Sequence, residues 1–472
     1  MKWKSTVFTV ASVVLLSFGL GGASALAEES TGQQKTLEIS YEKYQLDNGL
    51  EVILHQDDRL PLVAVSVWYH VGAFHEPEGR SGFAHLFEHM MFQGSGHVKD
   101  DAHFGILERI GATSINGTTN YDRTNYFETV PSNYLETALW LESDRMGFLL
   151  QALTEEKLNN QKDVVQNERR QGVENSPYEL GEEKLWHALF PKPHPYFGKV
   201  IGSMEHIGAA TVDDVKSFFE TWYAPSNATL TVAGDFQKEE AKKLIEKYFG
   251  SLKKTDPPPP VEVQAVSLEE QVVIEHEEKI GKLPKVAIAW HSPAFFKPGD
   301  GVADVLSDIL TSGKSSKLHK KLVRELEIAQ SVQSYQYSLG AQSVFIIEAV
   351  ARKGVDPKTL LEEIDTALDI VRAGKVEEQD ITRAVSKFET DFFSRLQKLG
   401  GFGGKAEKLQ LYNHFLNDPG FLAKDLERYR QVKQQDVVDF AANVLAKDKR
   451  VVLFALPVAA AAGDKKEVQN EK

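Results

Sequence analysis

The chain has 472 residues, 68 of them acidic and 54 basic, so its formal net charge is −14 at pH 7. This acidic balance argues against nucleic acid or an anionic membrane surface as a partner. The chain has no cysteine, which excludes thiolate catalysis and cysteine-rich zinc sites, so any metal must be held by His, Asp or Glu.

The N-terminus has the pattern of a signal peptide. Two lysines precede an apolar run over residues 7–20, and small residues lead to Ala27. The run is shorter than the ~20 residues that a membrane-spanning helix needs, so we expect cleavage after Ala27, at the end of a signal peptide over residues 1–27. Residues 28–40 are then expected to be a flexible N-terminal segment.

The first half of the chain predicts a mixture of strands and helices, because runs of Val, Ile, Leu and aromatic residues alternate with segments of helical apolar spacing. The predicted elements, in chain order, are strands at 44–55 and 62–70, a helix at 82–92, strands at 113–118 and 125–130, helices near 134–150, 155–170 and 212–222, and a strand at 229–233.

Four successive prolines at 257–260 predict a linker over residues 255–270, because proline imposes an extended, semi-rigid path. The linker separates a first domain, 41–254, from a second, 271–460, which a charged and disordered tail, 461–472, follows. The second domain predicts strands at 285–290, 331–337 and 344–350 and helices from 301 and at 357–371. We therefore predict two homologous α+β domains, each an antiparallel or mixed sheet packed against helices.

The two domains differ where chemistry is expected. Aligning residues 82–91 with 301–310 matches apolar residues with apolar residues, as a shared packing face requires. In contrast, His85, Glu88 and His89 stand opposite Asp304, Ser307 and Asp308. A packing role does not explain His85, Glu88 and His89. Since the second domain lacks them, we expect one chemical site per chain.

The segment His85-Leu86-Phe87-Glu88-His89 predicts a zinc site. Histidines at i and i+4 share one helical face and can bind one zinc ion, with Glu88 beside them as a base for a bound water. The alternative is an accidental pair of surface histidines. A third ligand is also needed, and from the residues alone Glu155, Glu156 and Glu168 are nearly equal candidates.

These segments resemble the insulinase or pitrilysin-type zinc metallopeptidases, the inverzincins, which include the mitochondrial processing peptidase. The resemblance covers nearly all of the mature chain, through the runs at 48–50, 72–94, 194–196 and 224–235. The bacterial subgroup with short subunits fits best. The resemblance implies that Glu168, which ends Val164-Val165-Gln166-Asn167-Glu168, is the third ligand of one Zn²⁺ per chain.

The resemblance also exposes a departure. Many relatives carry a further glutamate seven residues before the ligand, where this chain has Gln161. A glutamine there can orient a neighbour by hydrogen bonding but brings no charge. We expect activity to survive with Gln161, and we expect a Gln161→Glu variant to change zinc affinity or the pH optimum.

Substrate contacts are implied at two places. Asn116 and Gly117 match the family's edge strand, which pairs with an extended substrate, although Asn-Gly also marks turns. Arg324 matches an arginine that binds substrate from an opposing half or subunit, with surface ion pairing as the alternative. Gln330 stands where the family has tyrosine.

The resemblance therefore implies a zinc endopeptidase that acts on peptides or unfolded chains within an enclosed cleft. We expect a periplasmic location and a homodimer, or a heterodimer with a zinc-less homologue that supplies the Arg and Tyr pair. A non-catalytic partner subunit and a peptide-capturing zinc protein are the alternatives. The glycine-rich run at 400–405 lacks phosphate-loop spacing and predicts a mobile loop.

Overall fold

The computed structural model describes residues 37–458. The predicted signal peptide, the charged tail and most of the N-terminal segment therefore lie outside the described residues. The described part of the chain belongs to one compact unit. None of its helices is long and apolar enough to cross a membrane.

The strands of the described chain fall into two sheets, one in each half. Those of the first half are β1 (Glu42–Gln45), β2 (Glu51–Gln56), β3 (Leu62–Tyr69), β4 (Thr113–Thr119), β5 (Thr124–Pro131) and β6 (Ala228–Gly234). Those of the second half are β7 (Val272–Glu278), β8 (Lys285–Ser292), β9 (Ala329–Tyr337), β10 (Ser343–Ala351) and β11 (Val451–Pro457).

Helices cover both sheets. The first half contains α1 (Phe83–Met90), α2 (Ala102–Arg109), α3 (Leu135–Ala152), α4 (Glu155–Arg169), α5 (Glu179–Leu189), α6 (Met204–Ala209), α7 (Val212–Trp222) and α8 (Lys238–Phe249). The second contains α9 (Asp300–Thr311), α10 (Pro357–Arg372), α11 (Glu378–Leu396), α12 (Lys405–Leu416), α13 (Leu422–Arg430) and α14 (Gln434–Asn443).

The two sheets have the same topology. The first has the order β1-β2-β6-β3-β5-β4 and the second has the order β7-β11-β8-β10-β9, so they match once the short β1 is set aside. In each sheet one pair is parallel, β2 with β6 and β7 with β11, and the other pairs are antiparallel. The prediction of two homologous α+β domains is confirmed.

Burial supports the alignment of the helices α1 and α9. Leu86, Phe87, Met90 and Met91 are buried, and so are their counterparts Val305, Leu306, Ile309 and Leu310. One predicted strand is wrong in its extent, because residues 44–55 form two strands joined by a turn. Gly49 takes a φ of +96° there, a value that glycine adopts without strain.

The halves exchange helices. In the first half, α5 packs against β7, β8 and β11 of the second sheet, and in the second half, α12 packs against β3 and β6 of the first sheet. Gln410 of α12 donates from Nε2 to the backbone oxygens of Ser66 (3.0 Å) and Thr229 (2.8 Å). Residues 255–270 between the halves form no helix or strand.

Candidate active site

The helix α1 has one apolar and one polar face. Phe87 on the apolar face lies 4.1 Å from the ring centre of Tyr223, and this packing fixes the rotation of the helix in the first domain. The opposite face carries His85 and His89 towards α4. Their rings are 4.8 Å apart, as expected for positions i and i+4.

The helix α4 supplies the third side chain. Glu168 is the penultimate residue of α4, and its Oε2 lies 3.7 Å from His85 Nε2 and 3.4 Å from His89 Nε2. One ligand atom from each of the three residues lies within 4.8 Å of the others. The structure therefore brings together the three residues that the sequence and the resemblance indicated as ligands.

This donor set fits zinc. Two imidazole nitrogens and one carboxylate oxygen match a catalytic zinc site, in which a fourth position is left for water. Burial lowers the pKa of His85 to about 3, so this imidazole is neutral at physiological pH and its Nε2 lone pair is available to a metal. His85, His89 and Glu168 would hold the ion.

Glu88 lies beside this set on α1. Its Oε2 accepts a hydrogen bond from Thr119 Oγ1 at 2.6 Å. Removal from water raises the pKa of Glu88 to about 7, although the Thr119 hydrogen bond and the positive charge of Arg123 lower it. A carboxyl group with this pKa can both accept and return a proton near neutral pH.

Gln161 is buried on α4, two helical turns before Glu168. Its side chain makes no hydrogen bond within the described residues, and His85 Nδ1 is buried without a partner. Metal-binding histidines usually donate their second N–H to an acceptor, so this atom lacks the usual support. A role for Gln161 near the metal stays a prediction.

Asn116 and Gly117 lie within β4, paired with Phe127 and Tyr126 of β5, and not in a turn. The strand β4 ends the sheet, so its other edge is open. A Cβ on Gly117 would lie 3.2 Å from Glu88 Cγ, so the absence of a side chain lets α1 approach β4 closely. Substrate pairing at these residues stays a prediction.

Arg324 and Gln330 are separate from the ligand set. Both are exposed in the second half, Arg324 on the short helical segment His319–Glu325 and Gln330 on β9. Within the described residues, Arg324 donates only to the backbone oxygen of Lys314 (3.4 Å) and forms no ion pair. The guanidinium is therefore available to another molecule.

Sequence reasoning gave no role to three residues around α1. Glu76 accepts from the N–H groups of Gly82 (3.0 Å) and Ala84 (2.8 Å), which otherwise lack partners at a helix start. It lies too far from α1 for a capping-box pattern to reveal it. Thr119 orients Glu88, and Arg123 donates to Thr118 O at 2.9 Å. Neither position has a sequence signal.

A second cluster of possible ligands is explained without a metal. His103, Glu128 and Glu142 also bring three ligand atoms within 4.8 Å, all of them buried. The buried guanidinium of Arg145 donates from Nε to Glu142 at 3.0 Å and already supplies a positive charge. Burial and the neighbouring Glu142 raise the pKa of Glu128. Protonation of Glu128 therefore removes the second negative charge of the cluster, and no metal is needed to balance it.

Two family models match the chain. "Insulinase (Peptidase family M16)" matches residues 51–195, which include the three ligands and Glu88. "Peptidase M16 inactive domain" matches residues 209–388, which include the pseudo-equivalent helix α9. The chain belongs to the insulinase family, peptidase family M16. This confirms the resemblance predicted from the motifs.

Named relatives within the M16 family are zinc proteases. The chain is 29% identical to the zinc protease PqqE of Helicobacter pylori over 423 residues, which are 88% of this chain and 93% of that protein. The crystal structure of a protease from Helicobacter pylori matches with a TM-score of 0.82 at 27% identity, over 89% of this chain and all of that one.

The first half of the periplasmic protease PqqL from Escherichia coli shares the fold. Its structure matches with a TM-score of 0.70 at 16% identity and covers 88% of this chain and 92% of that one. The predicted fold class is therefore confirmed by solved M16 structures, and the chain is a peptidase at the level of its family.

Proposed function

We propose that this chain is a zinc-dependent endopeptidase in which Glu88 is the general base. The observation that carries the proposal is the convergence of His85, His89 and Glu168 within 4.8 Å, with Glu88 beside them and hydrogen-bonded to Thr119. Accident does not explain a ligand set contributed by two helices together with a positioned base.

His85, His89 and Glu168 would hold a zinc ion, which would supply Lewis acidity and lower the pKa of a water molecule. Glu88 would accept a proton from the attacking water. Glu88 then returns the proton to the leaving amine, so one carboxyl group acts first as base and then as acid. The hydroxyl group of Thr119 keeps the carboxylate aimed in both steps.

The open edge of β4 is the proposed substrate site. Backbone pairing with an edge strand binds extended peptides and demands little of their sequence. Peptides and unfolded polypeptides within a cleft are therefore the proposed substrates, with Asn116 and Gly117 alongside the chain to be cut. Most backbone groups of a compact folded protein are already paired, so it presents few such segments.

We further propose that the active form is a dimer and that it works in the periplasm. An exposed Arg324, free of ion pairs within the described residues, suits a contact to substrate held by a partner subunit. Export rests on the pattern of residues 1–27, and the periplasm also on the description of PqqL. A non-catalytic partner subunit and a peptide-capturing zinc protein are the alternatives that the experiment separates.

The test is an assay of quenched fluorescent peptides with three forms of the mature chain: wild type, Glu88→Gln and His85→Ala. We expect Glu88→Gln to lose at least ~100-fold in kcat, as expected for loss of a general base, while it keeps stoichiometric zinc. We expect His85→Ala to lose zinc. Metal content is measured by atomic emission after gel filtration.

Glu156→Gln is the matched control, because Glu156 lies exposed on the same helix as Glu168 and should leave both activity and zinc unchanged. Undiminished turnover in Glu88→Gln would contradict the proposed base. Zinc binding without turnover in the wild type, alone and with any co-purifying homologue, would favour the alternatives.

A further inference from the structure

The glycine-rich loop between α11 and α12 lies on the sheet of the first half. A Cβ on Gly400 would be 2.5 Å from Thr129 Oγ1 and 2.7 Å from Ala64 Cβ, so only glycine fits against β3 and β5 there. Gly401, with a φ of +70°, lies next to Ser114 of β4. The expectation of a mobile loop is therefore replaced by a loop seated on the sheet that carries the candidate active site.

Both ends of this loop are anchored. Before it, Leu399 packs against the small side chains of Ala64 and Ala233. After it, the buried Lys405 pairs through Nζ with Asp57, and its backbone N–H donates to Lys398 O at 3.0 Å. Buried contacts at both ends hold the tip of the loop at a fixed place over the sheet.

Phe402 is the tip of the loop. Its ring lies 5.2 Å from that of Phe127 in an edge-to-face arrangement, yet 56% of Phe402 remains exposed. Phe127 of β5 is the register partner of Asn116 in β4. Phe402 therefore lies on the face of the sheet that Asn116 shares, next to the edge strand and partly open to solvent.

Side chains along β4 alternate between two faces. A Cβ on Gly117 would point to Glu88, Phe92 and Tyr126, so position 117 faces the candidate metal site. Asn116 faces the other side of the sheet, where Phe402 lies. A peptide that pairs with the open edge would likewise direct alternate side chains to the candidate metal site and to the side of Phe402.

We propose that Phe402 is a specificity-determining residue that receives an apolar side chain of the substrate. Phe402 packs on Phe127, the register partner of Asn116, and its neighbour Gly401 lies next to Ser114. Glu88 lies instead beside Gly117 and Thr119, so the apolar side chain lies a few residues from the scissile bond. More than half of the surface of Phe402 is exposed, and the anchored loop holds the residue in place. An aromatic ring presented in this way can stabilise a bound apolar group. The inference rests on the proposed function of the β4 edge.

The test uses the Glu88→Gln variant as a binding form and the wild type as a turnover form. A fluorescent peptide series moves one Phe through each position on both sides of a fixed cleavage site, with Ala elsewhere. In the parent forms we expect one position to bind about fivefold to tenfold more tightly than the all-Ala peptide, the size of an aromatic contact. Adding Phe402→Ala should erase that preference and leave binding of the all-Ala peptide unchanged.

Two further variants make the result specific. Phe402→Leu should restore most of the preference, because it keeps an apolar side chain. Phe393→Ala removes another exposed phenylalanine, on α11, and should change nothing. If Phe402→Ala weakens all peptides equally, weakens none, or changes only the oligomeric state, the inference is overturned. Since binding is measured in Glu88→Gln, a wild type without turnover would reject the proposed function and leave this measurement valid.

Discussion

Glu88 shows how the environment sets the chemistry of one carboxyl group. Burial disfavours its charged form, whereas the Thr119 hydrogen bond and the nearby Arg123 favour it, and burial prevails with a pKa of about 7. A general base must be deprotonated to work, so its pKa sets the acidic side of the activity profile. In the proposed peptidase, the donors around Glu88 would therefore tune the pH range of activity.

Thr119→Val tests this balance, because valine keeps the shape of threonine and removes the donor. The hydroxyl group lowers the pKa of Glu88, so its loss raises that pKa. We expect the acidic limb of the kcat/KM profile to move to higher pH, while zinc content stays unchanged. Thr113→Val is the control, because Thr113 lies exposed at the start of β4 and its hydroxyl group makes no hydrogen bond within the described residues. An unmoved limb in Thr119→Val would refute the role.

At the scale of elements, the start of α1 is fixed by a crossing of two backbones. Gly82 precedes α1 with a φ of +90°, and a Cβ on it would lie only 2.7 Å from Gly202 Cα. Glu76 then binds the free N–H groups of the first turn. Backbone contact thus fixes the N-terminal end of α1, the helix that carries three of the four candidate active-site residues.

Gly82→Ala should therefore destabilise the fold and distort the site. A left-handed φ costs a non-glycine residue about 1–2 kcal/mol, and the close contact with Gly202 adds to it. Gly79→Ala is the matched control, because Gly79 has a φ of +79° but no atom within 4 Å of its Cβ position. Urea unfolding should show a larger loss for Gly82→Ala than for Gly79→Ala. Equal losses would mean that the crossing contributes nothing.

At the scale of the whole molecule, the candidate metal ligands lie at only one of the two equivalent helix positions that the structure describes. Where α1 has His85 and His89, α9 has Asp304 and Asp308, and Lys387 contacts Asp308 at 3.3 Å with its ammonium group. At α9 the positive charge beside Asp308 is therefore supplied by the ammonium group of Lys387 and needs no metal ion. The second half keeps the fold and is available for other tasks, such as presenting Arg324.

Mixing two inactive variants tests whether Arg324 acts across a homodimer. Arg324→Ala should be impaired alone, and mixing it with Glu88→Gln after subunit exchange should restore about a quarter of wild-type activity, because half of the dimers then hold one intact site of two. Arg352→Ala, another exposed arginine of the second half, should be fully active alone. Full activity of Arg324→Ala, or no recovery on mixing, would exclude this role in a homodimer.

Local features of both the fold and the site were predictable from the sequence. The spacing of His85 and His89 specifies a face of one helix, and apolar periodicity specifies the face that packs. Glu168 required the family resemblance, because the contact between α1 and α4 joins residues about 80 positions apart and leaves no periodic pattern. Thr119 lies one residue beyond the predicted strand at 113–118, and nothing in the sequence indicates its hydrogen bond to Glu88.

Contacts between the halves were beyond prediction for the same reason. No local pattern indicates that α5 and α12 cross to the opposite sheet. Similarly, the glycine-rich run at 400–404 predicts a mobile loop when only the sequence is considered. In the structure Gly400 instead permits close approach to Ala64 and Thr129, which only the tertiary fold reveals.

The helix exchange has a consequence for either half on its own. A half-length chain would leave one sheet face without a cover, since the covering helix belongs to the other half. Such a chain would cover that face only by exchanging helices with a second copy, and its stability would then depend on protein concentration. Joining both halves in one chain makes the exchange intramolecular and removes that dependence.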